Sequence, residues 1–194
     1  MTGFVRRVVT GHDKDGRAIV LSDGLVPRVY TNPLRPGHRS SDIWETRGMP
    51  VSLSLDEPDP VAVVDSFLPP LGVKIRISEL EPEPESVRTI DPKVAAEWYR
   101  DSGHTSSSTF GKGGRHPLMH RTETIDYAVV LEGQMTLVMD DQEIVLNAGD
   151  VVVQRGTNHA WSNRSSSRVR MLYILIDGRF DSEMRNLLEA EEGK

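Results

Sequence analysis

Four of the six histidines fall between residues 104 and 159, at His104, His116, His120 and His159, and two of these sit among other chemically able residues. In HRTETIDYAVVLEG, residues 120–133, His120, Thr122, Thr124 and Asp126 hold even positions, while Ile125, Tyr127, Val129 and Leu131 hold odd ones. An extended chain sends alternate side chains to opposite faces, so one face would carry a histidine and a carboxylate and the other hydrocarbon. The polar face continues into Ala128 and Val130. A face that turns from polar to apolar along its length suits a barrel mouth better than open solvent. In GDVVVQRGTNHAWSN, residues 149–163, His159 and Trp161 share parity, so the indole would wall the same cavity and stack on a flat substrate. A histidine whose pKa is tuned by a nearby carboxylate is equipped for general acid–base chemistry.

Strands must position these groups. From residue 117 onward, segments 118–131, 134–139, 143–147, 151–154, 158–162 and 168–176 read as strands. Glu132-Gly133, Asp140-Asp141, Ala148-Gly149, Arg155-Gly156 and the NRSSS run mark the turns. Short strands at close, regular spacing predict an all-β sandwich or barrel. Upstream, VRRVVTG and RAIVLSDG flank an Asp-Gly turn as a hairpin, and SDIWET is the one plausible strand between residues 31 and 60. GVKIRISEL, residues 72–80, alternates Val73, Ile75 and Ile77 against Lys74, Arg76 and Ser78, as a half-buried strand does. EPEPES breaks regular structure and divides an N-terminal arm, 1–85, from a main body, 86–178. The arm's extra strands would pack on that body or on a partner. DPKVAAEWYRDSG has the Asp cap and first-turn Pro of a short helix, and 179–194 reads as an amphipathic C-terminal helix. No internal repeat points to a duplicated barrel.

The two clusters resemble the paired motifs of the cupin superfamily, G-x5-H-x-H-x3/4-E-x6-G and G-x5-P-x-G-x2-H-x3-N. The resemblance covers residues 114–163, with flanking strands carrying it to about 72–178. Gly114, His120, Asp126 and Gly133 keep the first spacing, and 15 residues separate Gly133 from Gly149. Gly156, His159 and Asn163 follow the second. Thr122 stands at the second histidine, Asp126 at the glutamate and Gln154 at the proline, and the second motif is one residue short before Gln154. The resemblance implies a single double-stranded β-helix, or jelly-roll barrel, whose lumen holds a metal. His120, His159 and Asp126 would be its ligands, a 2-His-1-carboxylate donor set suited to iron, zinc or manganese with positions left open. Thr122 and Trp161 would position substrate. His116, four residues before His120 in a Gly-rich loop, is a candidate substitute ligand, and His104 a weaker one. With RRVVTGHDKDGRAIVLSDG included, nearly the whole chain is similar to small bacterial and fungal cupins. Some of those have oxidoreductase or decarboxylase roles in aromatic and polyketide pathways, which implies a small organic substrate, aromatic or carboxylated.

Composition narrows the field. The 194 residues carry a formal charge of −6, which argues against nucleic-acid binding, and 18 of the 23 basic residues are scattered arginines suited to surface solvation. With no cysteine, thiolate nucleophiles, disulfides and Cys-ligated metals are excluded. No signal-like or membrane-spanning apolar run is present, so a cytoplasmic protein is the default. GKGGRH lacks the preceding strand and spacing of a phosphate loop, and no nucleophile elbow or dinucleotide fingerprint occurs. His12 and His38 are expected to be exposed, Glu123 solvated, and Trp44 and Trp98 packed. Three readings remain. One is a metal-dependent enzyme on His120, His159 and Asp126. Another is a metal-independent decarboxylase or isomerase with His120 or His159 as general acid–base. The third is a non-catalytic metabolite-binding protein. A homodimer is expected, with the arm pairing on a partner's sheet edge.

Overall fold

A computed structural model describes residues 3–55, 59–62, 68–101 and 114–192; His104 and the serines at 106–108 lie outside them. The first two strands, β1 (Arg6–His12) and β2 (Ala18–Leu25), form the expected hairpin and a two-stranded sheet of their own. Its turn is closed by Asp13, whose carboxylate accepts the backbone N–H groups of Asp15 and Arg17 at 2.9 Å each. Seven strands of the main body are β5 to β10 and β4: β4 (Val73–Leu80), β5 (Thr124–Glu132), β6 (Gln134–Met139), β7 (Glu143–Asn147), β8 (Val151–Arg155), β9 (His159–Ser162) and β10 (Val169–Asp177). Together with β3 (Arg39–Thr46) they make two antiparallel sheets, ordered β3-β4-β10-β5-β8 and β7-β6-β9. The sheets face each other across a core of Ala128, Val130 and Met171 from one side and Met135, Leu137 and Trp161 from the other. This is the all-β jelly-roll barrel. The expected boundary at residue 85 falls after two strands, β3 and β4, that are hydrogen-bonded into the larger sheet.

Short helices flank the barrel. Helix α1 (Glu85–Arg88) begins inside the EPEPES run, and α2 (Pro92–Asp101) starts as its cap residues dictate, with Asp91 accepting from the Lys93 N–H at 2.9 Å. Helix α3 (Ser182–Glu192) is tied to the barrel by Arg185 and Glu123, 2.6 Å apart, a pair that stays accessible to solvent, as expected of Glu123. Trp44 lies under the Arg7 guanidinium and Trp98 meets Tyr99 edge-on, as packing residues do. His38 departs from the expected exposure: it is half-buried, and burial with Arg35 and Arg76 nearby pushes its imidazole down to about 3.

Two strand readings are corrected. The strand expected over 118–131 begins only at Thr124; before it, His120 forms an isolated antiparallel bridge with His159. The chain thus pairs with the small sheet at His120 and then crosses to the large one. In β4 the polar face is the buried one. Lys74 is 1% exposed and Ser78 4%, whereas Val73, Ile75 and Ile77 are half-exposed on the outside. Charge complementarity makes this arrangement tolerable. Lys74 Nζ lies 3.5 Å from Asp42 and 3.3 Å from Glu45, both buried on the neighbouring strand. A buried charge needs such partners.

Candidate functional site

The register of the large sheet stacks its inward side chains in rows along the barrel. Glu45, Lys74, Leu175, Asp126 and Gln154 form the first row, and Asp42, Arg76, Tyr173, Ala128 and Val152 the second. Ser40, Ser78, Met171 and Val130 follow. The lumen therefore runs from charged to apolar, and the even face of residues 126–130 is the inner one, as its parity requires. The small sheet contributes His159 opposite Met139 and Trp161 opposite Leu137. Ring contacts join the sheets: His120 to His159 at 4.5 Å, His159 to Trp161 at 5.7 Å, and Trp161 to Tyr173 at 5.5 Å.

The two histidines are held alike. Their backbones exchange two hydrogen bonds of 2.9 Å. His120 Nδ1 lies 3.1 Å from the Leu118 carbonyl, and His159 Nδ1 lies 2.9 Å from the Thr157 carbonyl. A carbonyl only accepts, so each Nδ1 carries a proton. Burial pushes His159 down to about 4, the Thr157 carbonyl pulling the other way and Arg35 adding to the depression. It is neutral at pH 7. Gln154, at the proline position of the resembled motif, donates to the same Thr157 carbonyl at 2.9 Å and so fixes the turn behind His159.

Asp126 is 8% exposed, and its Oδ1 is buried without a hydrogen-bond partner. Burial pushes the carboxyl up to about 6 against the lowering pull of the Thr124 hydroxyl and the Arg76 charge. Thr122 and Thr124 share a hydrogen bond of 2.8 Å, so hydroxyls lead along this face toward the carboxyl. The expected three-ligand set is not assembled: among the described residues no three His, Asp or Glu side chains form a metal-holding group. The bridge at His120 pairs the two histidines on the small sheet, and Asp126 belongs to the large one. His116 is not a substitute ligand. Its Nε2 faces both oxygens of Glu83 at 3.1 Å and its Nδ1 accepts the Leu118 N–H at 3.1 Å, so both nitrogens are used. Burial pushes Glu83 up, but His116 and the Ser162 hydroxyl hold its carboxyl below the usual range.

Lys74, Arg76, Asp42, Glu45 and Tyr173 are the lumen residues that reading the sequence missed. The signal in β4 is an even alternation of polar and apolar residues, which separates two faces without saying which of them is buried. A separate groove of about 440 Å³ runs between α3 and the barrel, lined by Arg121, Thr124, Thr157, Phe180 and Met184 among others. Neither His120 nor His159 lines it. No helix among the described residues is long and apolar enough to cross a membrane.

Comparison with known proteins agrees with this architecture. The cupin domain family matches residues 107–175. Cupin-domain-containing oxidoreductase fogC of Aspergillus ruber is 30% identical over 177 residues, covering 89% of this chain and 72% of that protein. Phomopsin biosynthesis cluster protein C' of Diaporthe leptostromiformis is 52% identical over 68 residues, which are 34% of this chain and 36% of the relative. Quercetin 2,3-dioxygenase of Bacillus subtilis is 37% identical over 105 residues, 52% of this chain and 30% of that one. The chain thus spans about a third of the length of the latter two relatives.

Proposed function

Since this chain belongs to the cupin-domain proteins, we propose that it is a small-molecule enzyme centred on the His120–His159 pair. The observation that carries this reading is the matched locking of both Nδ1 atoms by backbone carbonyls. Histidines that bind metals are oriented in this way, with one ring nitrogen donating to a carbonyl and the other presenting its lone pair. His120 and His159 therefore fit a divalent ion, iron, zinc or manganese, through two nitrogen donors. Such an ion supplies Lewis acidity toward a substrate oxygen. Oxidoreductase chemistry on a small organic molecule is the reaction class favoured, because relatives 30% and 36% identical over their matched stretches bear that name.

The chain's own residues supply the rest. Trp161 and Tyr173 form an aromatic wall that holds a flat substrate and keeps water off it. Thr122 continues that wall toward the mouth with a hydroxyl for substrate contact. Asp126, near pH 6 and unpartnered at Oδ1, takes up or returns a proton at that atom. The same observation favours a second reading, a metal-independent decarboxylase or isomerase in which Asp126 and a neutral His159 exchange the proton.

Elemental analysis of purified protein beside His120→Ala and His159→Ala separates the two. Near-stoichiometric metal in the wild type, lost in both variants, is the expected result. No metal after supplementation with iron, zinc and manganese defeats the leading reading. Turnover that survives a chelator then identifies the acid–base enzyme, whereas ligand binding without turnover of carboxylated aromatics identifies a binding protein.

A further inference from the structure

The groove between α3 and the barrel, about 440 Å³, has the volume of a small-molecule site, which is usually about 300–1,000 Å³. Its walls come from different sheets. Asp140 and Asp141 stand on the turn that leaves β6 in the small sheet, whereas Arg155 ends β8 and Arg179 follows β10, both strands of the large one. Ile125, Met139, Phe180, Met184 and Leu188 add hydrocarbon to the same groove. Some of its charges are spoken for. Glu123 is paired with Arg185, Asp181 accepts the Met184 N–H at 2.8 Å as the cap of α3, and Arg121 is buried and already engaged. The other four are not. Arg155 and Arg179 make no hydrogen bond or ion pair with any described residue. Asp140 accepts only from the neutral Asn158 amide, at 2.5 Å, and Asp141 offers Arg115 its backbone carbonyl while its carboxylate has no partner among the described residues. Opposite charges within about 4 Å would pair. The two arginines and the two aspartates are therefore held farther apart than that across the groove, all four exposed to whatever enters it.

We propose that this groove binds a short unblocked peptide, its ammonium on Asp140 and Asp141, its carboxylate on Arg155 and Arg179, and its apolar side chains against Phe180, Met184 and Leu188. A guanidinium fork matches a carboxylate, and an ammonium is a donor that two carboxylates share readily. Such a peptide carries its charges at opposite ends of an apolar body, which for two residues spans at most about 7 Å. A free amino acid holds both charges on one carbon and bridges separated walls poorly. Neither His120 nor His159 lines the groove, so this site stands apart from the enzyme reading above and does not depend on it.

Calorimetric titration of the full chain with the dipeptide Leu-Phe, its N-acetyl form, its C-terminal amide and free phenylalanine tests it. The unblocked dipeptide should bind about ten-fold more tightly than either blocked form, because each block removes one set of charge-assisted bonds. The double variant Arg155→Gln, Arg179→Gln should abolish the preference for acid over amide and leave the preference for free over acetylated amine. Asp140→Asn with Asp141→Asn should do the reverse. His120→Ala should change neither. Equal binding of the blocked and unblocked dipeptides by the wild type overturns the inference, with no variant needed. So does phenylalanine binding as tightly as Leu-Phe, a preference that survives loss of its charged pair, or the absence of saturable Leu-Phe binding at millimolar concentration. Binding lost in His120→Ala but kept in both double variants places the peptide in the lumen, which sinks this inference and leaves the enzyme reading standing.

Discussion

Asp126 shows how one buried side chain can serve a site and burden a fold. Its ordinary pKa of 3.8 is raised to about 6, chiefly by burial. Well below pH 3.8 the carboxyl is protonated in folded and unfolded chains alike, and the stability it allows is fully present. As pH rises toward 6 the unfolded chain releases the proton first, and stability falls by roughly 2–3 kcal/mol. Asp126→Asn should therefore come closest to the wild type below pH 3.8 and exceed it by about that amount at pH 8, read from urea midpoints. Equal midpoints at pH 8 would mean that a cation compensates the carboxylate. His159 acts with the opposite sign. Held at about 4, it contributes stability present above pH 6.5 and lost as pH falls through 4. His116 makes a different prediction. Its clasp on Glu83, both side chains almost wholly buried, is structural, so His116→Ala should cost about 3 kcal/mol by stranding a buried carboxylate. Metal content per folded protein should stay unchanged, and a loss of metal would return His116 to the ligand set.

Strands decide where those side chains act. The turn from β5 into β6 depends on Gly133, whose φ is +83° and where an added Cβ would stand 2.7 Å from the Arg168 carbonyl. Gly156, at φ +60°, lets the turn behind His159 pass beneath the Phe180 ring. A left-handed φ and a close approach both require the missing side chain. The inverted strand β4 is the more consequential element. Lys74→Met should lower stability by about 3–5 kcal/mol, because it leaves Asp42 and Glu45 facing each other with one cation fewer in a dry layer. Replacing all three with apolar residues of similar volume should recover most of the loss in denaturant midpoint. If Lys74→Met were neutral, water would have to reach this layer.

At the scale of the whole molecule, burial of charge inside the large sheet leaves hydrocarbon outside it. Val151 and Val153 on the edge strand β8 are 61% and 53% exposed, and Tyr127 and Leu131 beside them are more than a third exposed. The β1–β2 hairpin exposes Val8, Ile19, Val20, Leu21 and Leu25, and a lone two-stranded ribbon is marginal in water. These nine side chains together expose on the order of 800 Å², about what each partner contributes to a standard interface. A second copy of the chain, with its hairpin laid on this face and the exchange reciprocated, would cover both surfaces with one symmetric contact. Light scattering should report a homodimer at micromolar concentration, and the Val151→Asp, Val153→Lys double variant should shift it to monomer. A monomeric wild type would defeat the expectation.

Local pattern alone determined much of this protein. Alternating parity and turn residues were enough for most of the strands, the hairpin, the helix caps and the shared face of His159 and Trp161, because each follows from the geometry of a few consecutive residues. Thr122, Asp126 and Gln154 were visible as departures from a known pattern for the same reason. Tertiary structure alone decided which face of each strand looks inward. Parity separates two faces without ranking them, and the ranking in β4 went to Lys74 and Arg76 only because Asp42 and Glu45, some thirty residues away, arrive on the neighbouring strand to compensate them. Likewise, whether Asp126 joins the histidines depends on where the chain leaves one sheet for the other. That crossing is fixed by a bridge between His120 and His159, 39 residues apart in sequence, and no local window contains both.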